Sequence, residues 1–117
     1  MEPDTNLIDL SFLKKLTDGK PEKMKYYISM HLKTSPGLFD QLVSSFDDLS
    51  YEEIFSRAHS LKPQCDYVGI IGLKEQLIEI ENASRKKLNR GDLFHLVQKA
   101  VDINNKGMAE LRSYIDQ

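Results

Sequence analysis

Apolar residues recur along this chain at steps of three and four, and no stretch alternates with period two, so every sizeable segment reads as helix. Leu10, Leu13 and Leu16, with Phe12 between them, predict a short first helix stopped at Asp18-Gly19. Pro21 suits the first turn of a second helix, with Glu22 near its positive end. That helix carries Met24, Tyr27, Ile28 and Leu32, then meets Thr34-Ser35-Pro36-Gly37. Leu38, Leu42, Phe46 and Leu49 resume one apolar face, which predicts a kinked or briefly interrupted pair. Ser50 with Glu53 three residues later is a capping box that opens a central helix. Its buried stripe is Ile54, Ala58, Leu61, Cys65 and Val68, and Gly69 ends or bends it.

A following helix carries Leu73, Leu77 and Ile80 toward Arg85. Asn89-Arg90-Gly91 reads as a turn and Asp92 as the cap of a last helix. There Leu93, Val97, Ala100, Met108, Leu111 and Ile115 form the stripe, with Asn104 and Gly107 as weak points. Helices of this length joined by short turns predict an all-α fold: an antiparallel four-helix bundle with a short additional N-terminal helix, residues 1–117 forming one domain. Glycine and proline interrupt the pattern too often for a coiled coil.

Composition bounds this picture without choosing a function. A chain of 117 residues can bury a core without staples. Charged residues make up 29% of it, yet the net charge is only −2, which points to neither nucleic acid nor a membrane surface. The single cysteine, Cys65, cannot form an internal disulfide and suits a reducing compartment. The longest apolar run, Tyr67 to Leu73, is too short to span a bilayer. Met-Glu-Pro-Asp-Thr-Asn at the start lacks the marks of a secretory signal, so a soluble cytoplasmic domain is the expectation.

Candidate chemistry gathers on the central helix. His59 stands one position past the stripe residue Ala58, so its imidazole leaves the flank of the core toward solvent. Lys62 follows three residues later on the same face. A solvent-facing histidine beside a fixed cation is a place to hold an anion, and on a ring nitrogen that anion is a phosphoryl group. An exposed imidazole is largely neutral at cytosolic pH and attacks through its lone pair, so no general base is required. The nitrogen farther from the backbone is the expected acceptor, because the helix crowds the nearer one. Lys62 would offset the charge on the phosphoryl oxygens. No carboxylate cluster, nucleotide loop or metal-ligand set accompanies the pair.

Pro63 lacks an N–H and crowds the His59 carbonyl, which predicts a bent or loosened helix beneath the histidine. Phe55, one turn before His59, and Tyr67, two turns after it, are expected to frame the same face with Pro63 as a docking surface. Phe55 has a peripheral-core reading as well. His31 and His95 read as ordinary surface or half-buried histidines. Gly69 reads as a helix terminator or a close-packing point. Arg85, Lys86, Lys87 and Arg90 read as cations complementing a helix C-terminus.

Ala58-His59-Ser60-Leu61-Lys62, with Gly69 ten residues past the histidine, resembles the signature of histidine-containing phosphotransfer (HPt) domains. The resemblance runs from about Leu7 to the C-terminus. It implies that His59 accepts a phosphoryl group from a receiver-domain aspartate and passes it to another, with Lys62 supporting the phosphoryl site. It implies response-regulator receivers as partners, with a hybrid histidine kinase a further candidate, and a monomeric domain with no ATP site or cofactor of its own. Mg²⁺ and its acidic cluster then belong to the partner receiver. One departure stands out: the family usually has glycine directly after the lysine, where this chain has Pro63.

Three rival readings compete. A histidine-kinase dimerisation helix normally has an acidic residue after its histidine and proline at the fifth position beyond. Here Ser60 follows and Pro63 is at the fourth. A di-metal carboxylate bundle needs paired Glu-x-x-His motifs, and Asp92-x-x-His95 is a single loose match. A non-catalytic helical adaptor is the serious alternative, kept alive by Pro63.

Overall fold

Among the described residues five helices follow the apolar stripes: α1 (Ser11–Thr17), α2 (Pro21–Ser44), α3 (Tyr51–Val68), α4 (Leu73–Arg85) and α5 (Arg90–Ile115). The computed structural model describes residues 7–47 and 50–116. Leu49 and the first six residues, on which sequence expectations fell, lie outside them. Asp18 and Gly19 both take left-handed backbone and stop α1. Pro21 occupies the start of α2, and the Ser50 side chain accepts from the Glu53 N–H at 3.2 Å to open α3. The Glu53 carboxylate does not return to Ser50; it pairs with Arg57 at 3.1 Å.

Two sequence expectations are corrected. Asn89, not Asp92, caps α5: its side-chain oxygen accepts from the Asp92 N–H at 3.0 Å. Its extended backbone lets Arg90, Gly91 and Asp92 enter the first turn, so the helix starts three residues early. The brief interruption that was one alternative at Pro36 does not occur either. Pro36 lies inside α2 and Pro63 inside α3, and both helices run on past them. Each proline deletes one backbone bond, while buried side chains on both sides hold the helix together. Ile28, Phe39 and Leu42 do this for α2; Ala58, Leu61, Cys65 and Val68 do it for α3.

The four long helices α2 to α5 form the antiparallel bundle, and α1 lies against α2 and α3. α3 is central, packed on α1, α2 and α4, while α5 closes the bundle against α2 and α4. The whole α3 stripe is buried, with Ile54, Ala58 and Val68 at 0% exposure. Leu13, Ile28, Leu42, Leu77, Leu93 and Leu111 complete the solvent-free centre. No described helix is long and apolar enough to cross a membrane.

A strap before α1 crosses the α3–α4 turn. Asp9 N–H donates to the Gly69 carbonyl at 2.8 Å, and Ile71 N–H donates to the Leu7 carbonyl at 2.9 Å. Gly69 has φ +59°, and a Cβ there would stand 1.9 Å from the Asp9 carbonyl oxygen. It is therefore both helix terminator and close-packing point. Gly107, a weak point in the sequence pattern, serves packing too: a Cβ there would meet the Ile70 side chain at 2.6 Å.

Candidate functional site

The step from Ala58 to His59 crosses the edge of the core. Ala58 is fully buried, while the His59 side chain is 62% exposed. The same edge exists on α4, where Leu77 and Ile80 are buried and Glu81 follows directly. The two edges face each other, and the Glu81 carboxylate bridges them. His59 Nδ1 lies 2.7 Å from Glu81 Oε2, and Lys62 Nζ donates to Glu81 Oε1 at 3.0 Å. An ionised carboxylate only accepts, so it holds the proton of the ring on Nδ1 and leaves the Nε2 lone pair available. Among the described residues Nε2 has no protein hydrogen-bond partner.

The Glu81 side chain is only 7% exposed. Burial works to raise its carboxyl, but the hydrogen bonds and charges of Lys62 and His59 outweigh it and hold it below the usual glutamate range. The site is therefore an exposed imidazole and a half-sheltered ammonium tied to one anion beneath them. Phe55 stacks on His59 with ring centroids 5.8 Å apart and planes 11° from parallel. The Arg85 guanidinium lies over the other ring of this stack, 4.6 Å from the Phe55 centroid. Carboxylate and aromatic contact together restrict the imidazole.

The structure thus gathers His59, Lys62 and Phe55, with Pro63 exposed beside them. Tyr67 departs from the expected frame. It stacks on Tyr27 of α2, centroids 5.5 Å apart, whereas Phe55 and His59 lean toward α4. The two aromatics flank His59 from opposite sides. Position explains this: eight residues advance the helix by a little more than two turns, enough to carry Tyr67 round to the neighbouring helix.

Two site residues escaped the sequence reading. Glu81 was not singled out, since nothing in the local pattern signals that it would meet His59; the structure adds this single carboxylate to the pair. Arg85 was read with Lys86, Lys87 and Arg90 as a helix-end cluster, yet its guanidinium covers Phe55, and Arg90 opens α5 and donates to the Phe46 carbonyl. His31 is corrected as well, being 3% exposed in the core, while His95 is exposed as expected.

Other chemistry has little footing. Burial pushes the Cys65 thiol up to about 12, so it holds no thiolate at neutral pH. Among the described residues no group of three His, Cys, Asp or Glu side chains is placed to hold a metal ion. Comparison of the chain with family models, curated proteins and solved structures finds no match.

Proposed function

We propose that this chain is a phosphocarrier in which His59 relays a phosphoryl group between receiver-domain aspartates of cytoplasmic two-component signalling. The observation that carries the reading is the exposed imidazole whose Nδ1 is engaged by the buried Glu81 carboxylate, with Lys62 on the same anion. That arrangement presents Nε2 as the nucleophile. Its lone pair attacks the phosphorus of an aspartyl phosphate, the Nε2–P bond forms, and the bond from phosphorus to the aspartate oxygen breaks. The proton stays on Nδ1, paired with Glu81, so the charged phosphoimidazole is balanced. Onward transfer reverses the bond changes and returns the neutral ring without moving a proton.

Lys62, held on Glu81 at 3.0 Å, would trade part of that contact for the incoming oxygens. Mg²⁺ and the acidic cluster that lower the barrier come with the receiver. The sequence resemblance supports the same reading, and Pro63 marks this chain's departure from it.

The test is incubation with a receiver domain charged by a small-molecule phosphodonor and Mg²⁺. Acid-labile, alkali-stable label should appear on the chain and vanish in His59→Gln, with helical content and melting nearly unchanged. Label on His31 or His95, or none on the wild-type chain, sinks the proposal and leaves the adaptor reading.

A further inference from the structure

Beneath the opposite flank of α3 lies a buried histidine that the relay does not use. His31 of α2 is 3% exposed, and both ring nitrogens are engaged: Nδ1 lies 2.8 Å from Gln64 Oε1 of α3, and Nε2 lies 2.8 Å from Asn104 Oδ1 of α5. Asn104 Nδ2 donates to Ser35 Oγ at 3.2 Å, and the Ser35 hydroxyl donates to Met108 Sδ at 3.3 Å. In this series Asn104, which is 1% exposed and has no open space beside it, presents its oxygen to the ring. Gln64 is different. It is half-buried and lines a groove of about 310 Å³ between α2 and α3, walled by Tyr26, Tyr27, Met30 and Tyr67.

A neutral imidazole donates through one nitrogen and accepts through the other. Two amide oxygens facing the ring match only the doubly protonated form. The neutral ring keeps both bonds if one amide turns its NH₂ inward, and Gln64 is the amide with room to turn. We propose that His31, Gln64 and Asn104 form a proton-operated clamp joining α2, α3 and α5, in which rotation of the Gln64 amide follows the charge of the ring. In the neutral state His31 Nε2–H donates to Asn104, and the Gln64 NH₂ donates to bare Nδ1. A proton entering from water in the groove binds Nδ1, and Gln64 rotates to accept from it. Its NH₂ then faces the groove, whose floor changes from acceptor to donor.

The titratable groups facing this site are phenols, Tyr26 and Tyr27 from α2 and Tyr67 from α3. α5 contributes Asn104, which is uncharged. Burial lowers the affinity of the ring for a proton, against the opposing pull of the two amides. Gln64 follows Pro63 directly, so the clamp grips α3 next to the turn that carries His59 and Lys62. This inference stands apart from the phosphorelay reading.

Nitrogen-detected NMR of the full chain across pH 4 to 8 tests it. At neutral pH His31 should show one protonated and one bare ring nitrogen, and the Gln64 NH₂ signals should move along the His31 titration curve. Gln64→Glu places a carboxylate at Nδ1 and should raise the His31 midpoint by about one unit or more, into the range where the chain is folded. Gln64→Leu removes the partner for the second proton and should lower it. A His31 midpoint unmoved by Gln64→Glu, or Gln64 signals indifferent to the His31 titration, would overturn the clamp.

Discussion

Glu81 serves two donors at once, and this makes its contribution separable by substitution. In Glu81→Gln the amide oxygen can still accept from His59 Nδ1–H, but the site loses the negative charge that opposes Lys62. Glu81→Leu removes both acceptors. We expect Glu81→Gln to keep most of the label acceptance and Glu81→Leu to slow it roughly 10- to 100-fold, the rate equivalent of one charge-assisted hydrogen bond. Equal rates in the two variants would show that Glu81 does not position the ring. Lys62 carries a stability cost as well, because Lys62→Ala strands a carboxylate that is only 7% exposed. Each of Lys62→Met and Glu81→Leu should cost about 1–3 kcal/mol in urea denaturation, and the double variant less than their sum. Additive losses would mean that the pair is not coupled. Of this cluster, His59, Lys62 and Phe55 were legible from helical spacing alone. Glu81 was not, because no local pattern ties a residue on one helix to the flank of another.

Most helix boundaries set by a local chemical device were readable; the Asn89 cap of α5 was not, because Asp92 three residues on offers the same capping signal. Ser50 at the start of α3, Pro21 in the first turn of α2 and Asp18-Gly19 after α1 all act within a few residues of themselves. Of the two alternatives at Pro36 the interruption does not occur, because buried residues on both sides of the proline hold α2 together. Gly69 shows the same division: its left-handed backbone was legible as a stop, but its contact with Asp9 spans the strap. Gly19 offers a matched control, with φ +70° and no heavy atom within 4 Å of the place a Cβ would take. Gly19→Ala should cost about 1–2 kcal/mol, the price of left-handed alanine alone. Gly69→Ala adds a backbone overlap that must displace Asp9, and should cost on the order of 3–5 kcal/mol. Hydrogen exchange should then show faster exchange at Asp9 and Ile71, whose N–H groups bind across the strap. Similar costs for the two substitutions would show that the strap contact adds nothing to stability.

At the scale of the whole molecule, α3 is held on both flanks by buried titratable groups, through Glu81 to α4 and through the His31 cluster to α2 and α5. The stripes predicted the bundle, but these cross-helix pairings join residues 19 to 73 positions apart and left no mark in local sequence. Both groups make the fold sensitive to acid, in separate windows. Burial lowers the His31 pKa, so below the ordinary histidine value of about 6.5 the unfolded chain binds a proton that the folded chain resists. Stability is therefore full above that value and falls with pH until the folded-state pKa is reached. The Glu81 pKa is also held low, so its stabilisation is full above the ordinary glutamate range and is lost as pH falls through the folded value. Urea denaturation should give a plateau above neutral pH, a first decline below about pH 6.5 and a steeper loss in the carboxylate range. Glu81→Gln should flatten only the lower decline, since glutamine does not titrate. Stability that rose between pH 7 and 5 or so would show that the two amide oxygens outweigh burial at His31, reversing the sign of the upper window.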